Sequence, residues 1–130
     1  MDFTFNKEER LCSRKAFENL IKEGSSQFNY PFKVLWVRTD YPISKNAQVA
    51  FAVSKKRFKR ANKRNLVKRR LREAYRLNKD SFYLSLNENQ IHLQILIIYV
   101  APTVMTYHEI EPKIKNALDN ILVAIQKPGK

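Results

Sequence analysis

The sequence is poor in the residues that most often build catalytic, metal or phosphate sites. One of its 130 residues is cysteine, Cys12, so neither an intramolecular disulfide nor a cysteine-cluster zinc site can form. The two glycines, Gly24 and Gly129, cannot supply a glycine-rich phosphate loop. His92 lies among alternating apolar residues, and His108 lies beside the expected start of a helix. A structural role is the simpler interpretation for both histidines. We therefore expect no catalytic residue and no metal site.

Long apolar runs are missing as well. The N-terminus has no apolar signal core, and the most apolar run, residues 95–101, is far too short to span a bilayer. Together with the single cysteine, this predicts a cytoplasmic protein without membrane contact. The length and the 44% share of hydrophobic residues suit one domain, residues 1–130, with a single core.

Acidic residues are scarce, and their shortage is local. The chain has 25 Lys and Arg against 12 Asp and Glu, which gives a formal net charge of +13. Residues 54–79 contain 13 of the basic residues and one acid, Glu73. Phosphate backbones and anionic membrane surfaces are the natural partners of such a segment.

The basic segment is predicted to be a helix from about residue 60. It lacks Gly and Pro, and Val67, Leu71, Ala74 and Tyr75 recur at the spacing of one helix face. Basic side chains also follow one another at i, i+4: Arg60, Arg64, Lys68, Arg72 and Arg76. A merely solvated face usually alternates Glu with Lys, because like charges at this spacing repel by roughly a few tenths of a kcal/mol. The pattern favours nucleic-acid binding over a solvated face.

The rest of the chain predicts further helices and strands around this segment. Ser13 is a candidate N-cap for a short helix that ends at Gly24, with an apolar stripe of Ala16, Phe17, Leu20 and Ile21. Strands are expected at 32–39, 49–53 and 91–100, and the last is apolar enough to lie centrally in a sheet. Residues 25–31 are expected to be a polar joint, 40–46 a loop, and 81–89 a loop with room for one extra helical turn.

A capping box is expected to start the last helix. Thr106 and Glu109 have the required spacing, and apolar residues then recur at helical spacing to about Gln126. Pro112 is unfavourable inside a helix, so the helix either bends there or begins at Glu111.

Two interpretations remain open for the aromatic residues Phe17, Trp36, Phe51 and Tyr75. Each is a core residue, or it lines a cleft and stacks on a base, which is worth about 1–3 kcal/mol per base.

The spacing of the basic segment resembles the signature of the bacterial ribonuclease P protein component, roughly Ala-x-x-Arg-Asn-x-x-Lys-Arg-x-x-Arg-Glu. The matching residues are Ala61, Arg64, Asn65, Lys68, Arg69, Arg72 and Glu73. Upstream, Arg10, Leu11, Phe17 and Gly24 resemble the family's first helix. The resemblance implies an α/β (α+β) two-layer sandwich. Its mostly antiparallel mixed sheet would have about four strands, in the order α-β-β-β-α-β-α with a left-handed β-α-β crossover.

In function, the resemblance implies a small subunit of a ribonucleoprotein that removes the 5′ leader from precursor tRNA. The implied partners are a catalytic RNA subunit, which would hold the Mg²⁺ ions and perform the chemistry, and the precursor tRNA. Charge and position together give candidate residues for contact with the catalytic RNA: Arg60, Lys63, Arg64, Asn65, Lys68, Arg69, Arg72 and Arg76. The candidates for the leader are Phe17, Lys55 and Lys56.

Two residues depart from the family pattern. Leu66 stands where the family usually has a second arginine, and Lys63 or Arg70 could replace the RNA contact of that arginine. Ile21 stands where the family has a second aromatic residue.

Other functions also agree with the charge pattern. The main alternative is a non-catalytic structural RNA-binding protein such as a basic ribosomal protein. Binding of duplex DNA is a second alternative, although Asn65 is nearly the only side chain suited to reading bases. Binding to a membrane surface is the least favoured, because the apolar stripe of the helix is short.

Overall fold

The residues that the structure describes, 9–11, 13–39 and 47–126, form a four-stranded sheet with three helices packed on it. The structure is a computed structural model. In chain order, the elements are α1 (Arg14–Glu23), β1 (Ser25–Asn29), β2 (Phe32–Arg38), β3 (Ala47–Val53), α2 (Ala61–Glu88), β4 (Leu93–Tyr99) and α3 (Tyr107–Gln126). The predicted order of helices and strands and the α/β (α+β) class are confirmed.

The strands lie in the order β1-β2-β4-β3. β2 pairs antiparallel with both β1 and β4, whereas β3 pairs parallel with β4. The sheet is therefore mixed and mostly antiparallel, as predicted. β4 has a strand on each side, and nearly all of its residues are buried, which confirms its central position. α2 connects the parallel neighbours β3 and β4, and the left-handed sense of this crossover stays a prediction.

The two faces of the sheet are covered unequally. α2 and α3 pack on one face, where Phe32, Val34 and Trp36 of β2 belong to the larger core cluster. α1 packs on the other face, where Leu20 and Leu96 belong to a smaller cluster. Since α1 has 10 residues and α2 has 28, the α1 side leaves part of the sheet open. The sheet residues that stay half-buried on that side are Leu35, Val37, Ala50, Ala52 and Ile98.

α1 begins and ends where the sequence predicts, but its apolar stripe is narrower. The Ser13 hydroxyl accepts a hydrogen bond from the Ala16 N–H at 3.3 Å, which confirms the cap. Leu20 is fully buried against the sheet, whereas Ile21 is 72% exposed, so the prediction that Ile21 joins the stripe is wrong. Neighbouring residues on a helix point roughly 100° apart, and this short helix contacts the sheet along one line only.

Gly24 ends α1 without the left-handed backbone conformation that is common for a glycine after a helix. Its φ of −69° and ψ of 148° are extended rather than left-handed. A Cβ atom at this position would lie 2.4 Å from the carbonyl oxygen of Leu20, closer than any side chain can approach. The glycine is therefore required by close backbone approach.

The polar joint expected at residues 25–31 is wrong, because these residues form β1 and the turn into β2. β1 is an edge strand that pairs with β2 alone, so it needs no apolar alternation to be stable. Gln27 also contacts the helix layer, donating from its side-chain amide to the Ala117 carbonyl of α3 at 3.2 Å. Hydrogen bonds to neighbours in space, rather than local pattern, determine this strand.

α2 starts as predicted but is much longer. Arg60 is its N-cap residue, and the helix continues through the expected loop at 81–89 as far as Glu88. Phe82 and Leu86 are 1% and 0% exposed and extend the buried stripe of Leu71 and Tyr75 by further turns. Burial of a side chain of this size contributes roughly 1.5–3 kcal/mol, which outweighs the poor helix propensity of the intervening polar residues.

α3 begins with the predicted capping box. Thr106 N–H donates to Glu109 Oε1 at 3.0 Å, and Glu109 N–H donates to Thr106 Oγ1 at 3.2 Å. The helix starts at Tyr107 and includes Pro112, so the alternative start at Glu111 is wrong. Its predicted end at Gln126 is confirmed.

Some predictions fall outside the described residues, namely the loop at 40–46 and the position of Cys12. No helix within the described ranges has both the length and the apolarity needed to cross a membrane.

Candidate nucleic-acid interface

The predicted basic face of α2 is real and lies beside its buried stripe. Val67, Leu71, Ala74 and Tyr75 are all 0% exposed and fix the orientation of the helix. At roughly 100° per residue, a run of polar and basic side chains then falls within a sector about 100° wide that adjoins the buried stripe. We call this sector the basic ridge, and its residues are Asn65, Lys68, Arg69, Arg72 and Arg76.

A cleft of about 340 Å³ lies along the ridge, and four of its five lining residues are arginines. Arg69, Arg72 and Arg76 come from α2, and Arg10 comes from the N-terminal segment. The fifth residue, Glu73, forms an ion pair with Arg76. Arg10 was not among the predicted site residues. Arg10 takes part in the family resemblance together with Leu11, and this was the signal that could have pointed to a functional role. Nothing in the sequence indicates how close Arg10 lies to α2.

Arg64 lies nearer the core than the ridge does, and it contacts the protein itself. Its Nη1 donates to the carbonyl oxygens of Phe58 at 2.7 Å and Lys59 at 2.9 Å. These bonds tie the segment after β3 to the first turn of α2. The Nε and Nη2 groups are the donors that Arg64 retains for another partner.

Arg60 and Lys63 belong to a different surface from the ridge. They line a second cleft, of about 390 Å³, between the start of α2 and the segment that follows β4. Arg57 and Lys59 supply further positive charge there, and Thr103 belongs to the opposite wall. The structure thus divides the predicted RNA-binding residues into the ridge, this second cleft and Arg64, which is hydrogen-bonded to the protein itself.

The missing arginine at Leu66 has no replacement in the ridge. Arg70 donates from Nη1 to the Met105 carbonyl at 2.6 Å, so it holds the segment before α3. This places Arg70 on the α3 side of α2, away from Arg69 and Arg72. Lys63 lies in the second cleft. Neither of the two proposed compensating residues therefore lies in the ridge.

The open face of the sheet, beside α1, carries the other predicted site. Strand register aligns one row of side chains across it, because directly paired residues point to the same side. Phe28 pairs with Lys33, Lys33 with Ile98, and Ile98 with Ala52. Phe28 is 64% exposed, and Lys33 is exposed. Neither was predicted, since their alignment depends on the order of the strands.

The predicted leader-binding residues border this open face. Phe17 is half-buried and packs around the same small cluster as Ala50 and Ala52. The short alanine side chains leave room above the sheet. Lys55 and Lys56 follow the end of β3 and are exposed, and the N–H of Lys56 donates to Ser54 Oγ at 3.1 Å. An aromatic ring and an apolar floor thus occur on the α1 side of the sheet, and the two lysines follow the end of one of its strands.

The other aromatic residues are in the core. Trp36 and Tyr75 are 8% and 0% exposed, and Phe51 packs against the larger cluster under α2. The Phe51 and Tyr75 rings meet edge to face, with centroids 5.8 Å apart. For these three residues the core interpretation is confirmed.

Comparison with known proteins identifies a family. The family model described as Ribonuclease P matches residues 5–122 of the chain. The chain belongs to the ribonuclease P protein component family. Two relatives named Ribonuclease P protein component, both from Porphyromonas gingivalis, are 34% identical over 119 residues and 36% identical over 124. Both alignments cover 92% of this chain and 87% of the relative.

Solved structures of ribonuclease P proteins have the same fold. The Thermotoga maritima protein is similar with a TM-score of 0.69 and 26% identity, covering 86% of this chain and 96% of its own. The Staphylococcus aureus protein is similar with a TM-score of 0.67 and 25% identity, covering 92% and 97%. The similarity therefore covers most of this chain in both comparisons.

Membership defines the general function. The chain is a protein subunit of ribonuclease P, an endoribonuclease that it forms with an RNA subunit, and it acts in the 5′ processing of tRNA. The predicted family, function and enzyme class are confirmed. The partnership with the RNA subunit follows from them.

The polar groups that the described residues offer to a ligand are of one kind. Within residues 9–11, 13–39 and 47–126, no three side chains of His, Cys, Asp or Glu lie together as a metal site would require. The clustered polar groups are guanidinium and ammonium groups instead. Such groups bind phosphate oxygens through charge-assisted hydrogen bonds.

Proposed function

We propose that the basic ridge binds the RNA subunit and that the open face beside α1 holds the 5′ leader of precursor tRNA. The Mg²⁺ ions that activate the attacking water would be held by the RNA subunit. In this arrangement the protein is a clamp for two RNA segments. The geometry that carries the proposal is the position of the ridge on α2, beside a stripe of side chains that is fully buried.

The ridge is suited to folded RNA because it is rigid and positively charged. α2 is anchored by seven buried side chains along its length, so the Cα atoms of its arginines keep fixed separations. A backbone that is already fixed loses less conformational freedom on binding than a mobile tail does. Each phosphate contact also releases counterions, which makes binding strongly dependent on salt concentration.

The open face is suited to a single strand because it combines a flat apolar floor with charge at one end. Ala50 and Ala52 are too small to block a base, and Phe17 can stack on one. Lys33, Lys55 and Lys56 would contact the phosphates. These features do not select a base sequence, which agrees with the variety of leaders that a general tRNA-processing enzyme meets.

A reconstitution experiment tests the proposal. The purified protein is combined with a bacterial ribonuclease P RNA at physiological Mg²⁺, and cleavage of a precursor tRNA is compared with cleavage by the RNA alone. We expect strong stimulation, together with tighter binding of precursor than of mature tRNA. Stimulation of cleavage without any preference for the precursor would contradict the assignment of the leader to the open face.

A further inference from the structure

A buried hydrogen-bonded group fixes the N-terminal segment to α2. The carboxylate of Glu9 accepts hydrogen bonds from Lys79 Nζ at 2.6 Å and from the Tyr83 hydroxyl at 2.8 Å. Tyr83 in turn accepts from the Tyr75 hydroxyl at 3.0 Å. Glu9 and Lys79 are 0% and 2% exposed. A charged pair is thus enclosed at the point where the N-terminal segment meets the helix.

The next two residues run along the outer edge of β3. The Leu11 N–H donates to the Val49 carbonyl at 3.0 Å, and Arg10 pairs with Val49 as an isolated parallel bridge. Leu11 is 5% exposed and packs in the smaller core cluster. Arg10 is therefore held on both sides, by Glu9 before it and by Leu11 after it.

This double attachment brings Arg10 to the ridge. The backbone is fixed at Glu9 and Leu11, while the Arg10 side chain is exposed and lines the cleft with Arg69, Arg72 and Arg76. The single carboxylate among the lining residues, Glu73, is already paired with Arg76. Arg10, Arg69 and Arg72 can thus offer forked donors to an anion of the size and charge of a phosphodiester.

We propose that Arg10 completes a backbone-phosphate site for the RNA subunit in this cleft, and that the buried Glu9–Lys79 pair is the positioning element that holds it there. The inference rests on the proposed function, because it takes RNA as the ligand of the ridge. It adds a residue from a second chain segment and a means of fixing it.

The chemistry of the pair agrees with a positioning role. A buried ion pair is often no more stabilising than apolar residues of similar volume, but it accepts few alternative arrangements. Burial, and then the neighbouring Tyr75 and Glu9, raise the pKa of Tyr83, so its hydroxyl remains a donor to the carboxylate at neutral pH. Glu9 is therefore held by two donors from α2 that differ in direction. An apolar residue at position 9 could shift along the surface of α2, whereas a carboxylate held by two hydrogen bonds cannot.

The test measures the salt dependence of binding between the full chain and the ribonuclease P RNA. Arg10→Ala is expected to lower the slope of log K against log salt by about one unit, the loss of one phosphate contact. Glu9→Gln is expected to cause a similar loss although Arg10 is still present. In the Glu9→Gln background, Arg10→Ala should then have little further effect.

Controls separate positioning from a general loss of stability. Thr106→Ala weakens the cap of α3 without removing a charge or a residue that lines the cleft, and it should leave the slope unchanged. All variants are compared at a temperature where circular dichroism shows them folded. If Glu9→Gln does not fold, Tyr83→Phe removes one of the two donors to Glu9 and should reduce the Arg10→Ala effect in part.

The outcomes distinguish this inference from the proposed function. An unchanged slope for Arg10→Ala, with a reduced slope for Arg72→Ala, would overturn the Arg10 site and leave the ridge intact. Unchanged slopes for both would contradict the ridge itself. A full Arg10→Ala effect in the Glu9→Gln and Tyr83→Phe backgrounds would overturn the positioning role.

Discussion

The ammonium group of Lys79 lies 2.6 Å from the carboxylate of Glu9, with the two side chains 2% and 0% exposed. The residues are 70 positions apart, so the contact joins the N-terminal segment to the middle of α2. A charge in such a place is stable only while its partner is present. The free energy of unfolding should therefore depend on both residues together rather than on either one.

Removing one member of the pair should be far worse than removing both. Lys79→Met leaves a buried carboxylate without its counter-ion and is expected to lower the free energy of unfolding by about 3–5 kcal/mol. The double variant Glu9→Leu, Lys79→Met should lose much less, because no charge stays buried. Urea denaturation followed by circular dichroism measures both. Equal losses in the single and double variants would mean that packing, rather than charge, dominates this site.

The ridge predicts a position-dependent effect of charge on RNA binding. Arg72→Ala should weaken binding to the RNA subunit and lower the salt slope by about one unit. Lys115→Ala is the matched control, because it removes the same charge from an exposed position on α3. Equal effects of the two substitutions would mean that net charge, rather than the ridge, drives binding. Filter binding over a range of salt concentrations provides the measurement.

Phe17 and Ile21 offer a matched pair on α1. Phe17→Ala should reduce affinity for leader-bearing precursor by about 1–3 kcal/mol, the cost of one lost stacking contact, while affinity for mature tRNA stays nearly constant. Ile21→Ala removes an apolar side chain that is 72% exposed and should change neither affinity. Equal losses for precursor and mature tRNA, or loss of folding, would assign Phe17 to the core alone.

The sequence predicted the elements that have strong internal patterns. The buried stripe of α2, the central strand β4 and the caps at Ser13 and Thr106 each depend on residues close together in the chain. It failed where distant contacts decide the outcome. β1 is stabilised by pairing with β2, and the last turns of α2 are stabilised by burial of Phe82 and Leu86.

The same distinction holds for the candidate site. Arg69, Arg72 and Arg76 were predictable because one helix carries them all. Arg10 was not, since it reaches the cleft through the contacts of Glu9 and Leu11 with other elements. Lys33 was missed for a similar reason, because its place on the open face follows from strand register.

The close approach at Gly24 gives a prediction about stability. Gly24→Ala should be tolerated by the backbone, whose φ is −69°, but the new methyl group would lie 2.4 Å from the Leu20 carbonyl oxygen. Either α1 or the start of β1 must shift, and we expect a loss of about 1–3 kcal/mol. Lys22→Ala, at an exposed position of the same helix, should change stability by no more than about 0.5 kcal/mol. Thermal melts of the two variants measure the difference.

The capping box of α3 predicts a pH dependence. The backbone N–H and the hydroxyl of Thr106 each donate to Glu109 Oε1 at 3.0 Å, and these bonds lower the pKa of Glu109 below its ordinary value of 4.5. The unfolded chain therefore takes up this proton at a higher pH than the folded chain does. The contribution of Glu109 to stability is complete above about pH 4.5 and is lost as pH falls through the lowered pKa.

Comparison with Glu109→Gln isolates this effect. The other carboxyl groups titrate in both proteins and cancel in the difference between their melting temperatures. We expect the wild-type protein to melt higher at pH 7 and the difference to shrink as the pH falls from 5 to 3. A difference that stays constant over this range would mean that Glu109 caps the helix through hydrogen bonds that are indifferent to its charge. Thr106→Ala should reduce this pH dependence only in part, because it deletes the hydroxyl that donates to Glu109 and accepts the Glu109 N–H but keeps the backbone N–H that also donates to Glu109.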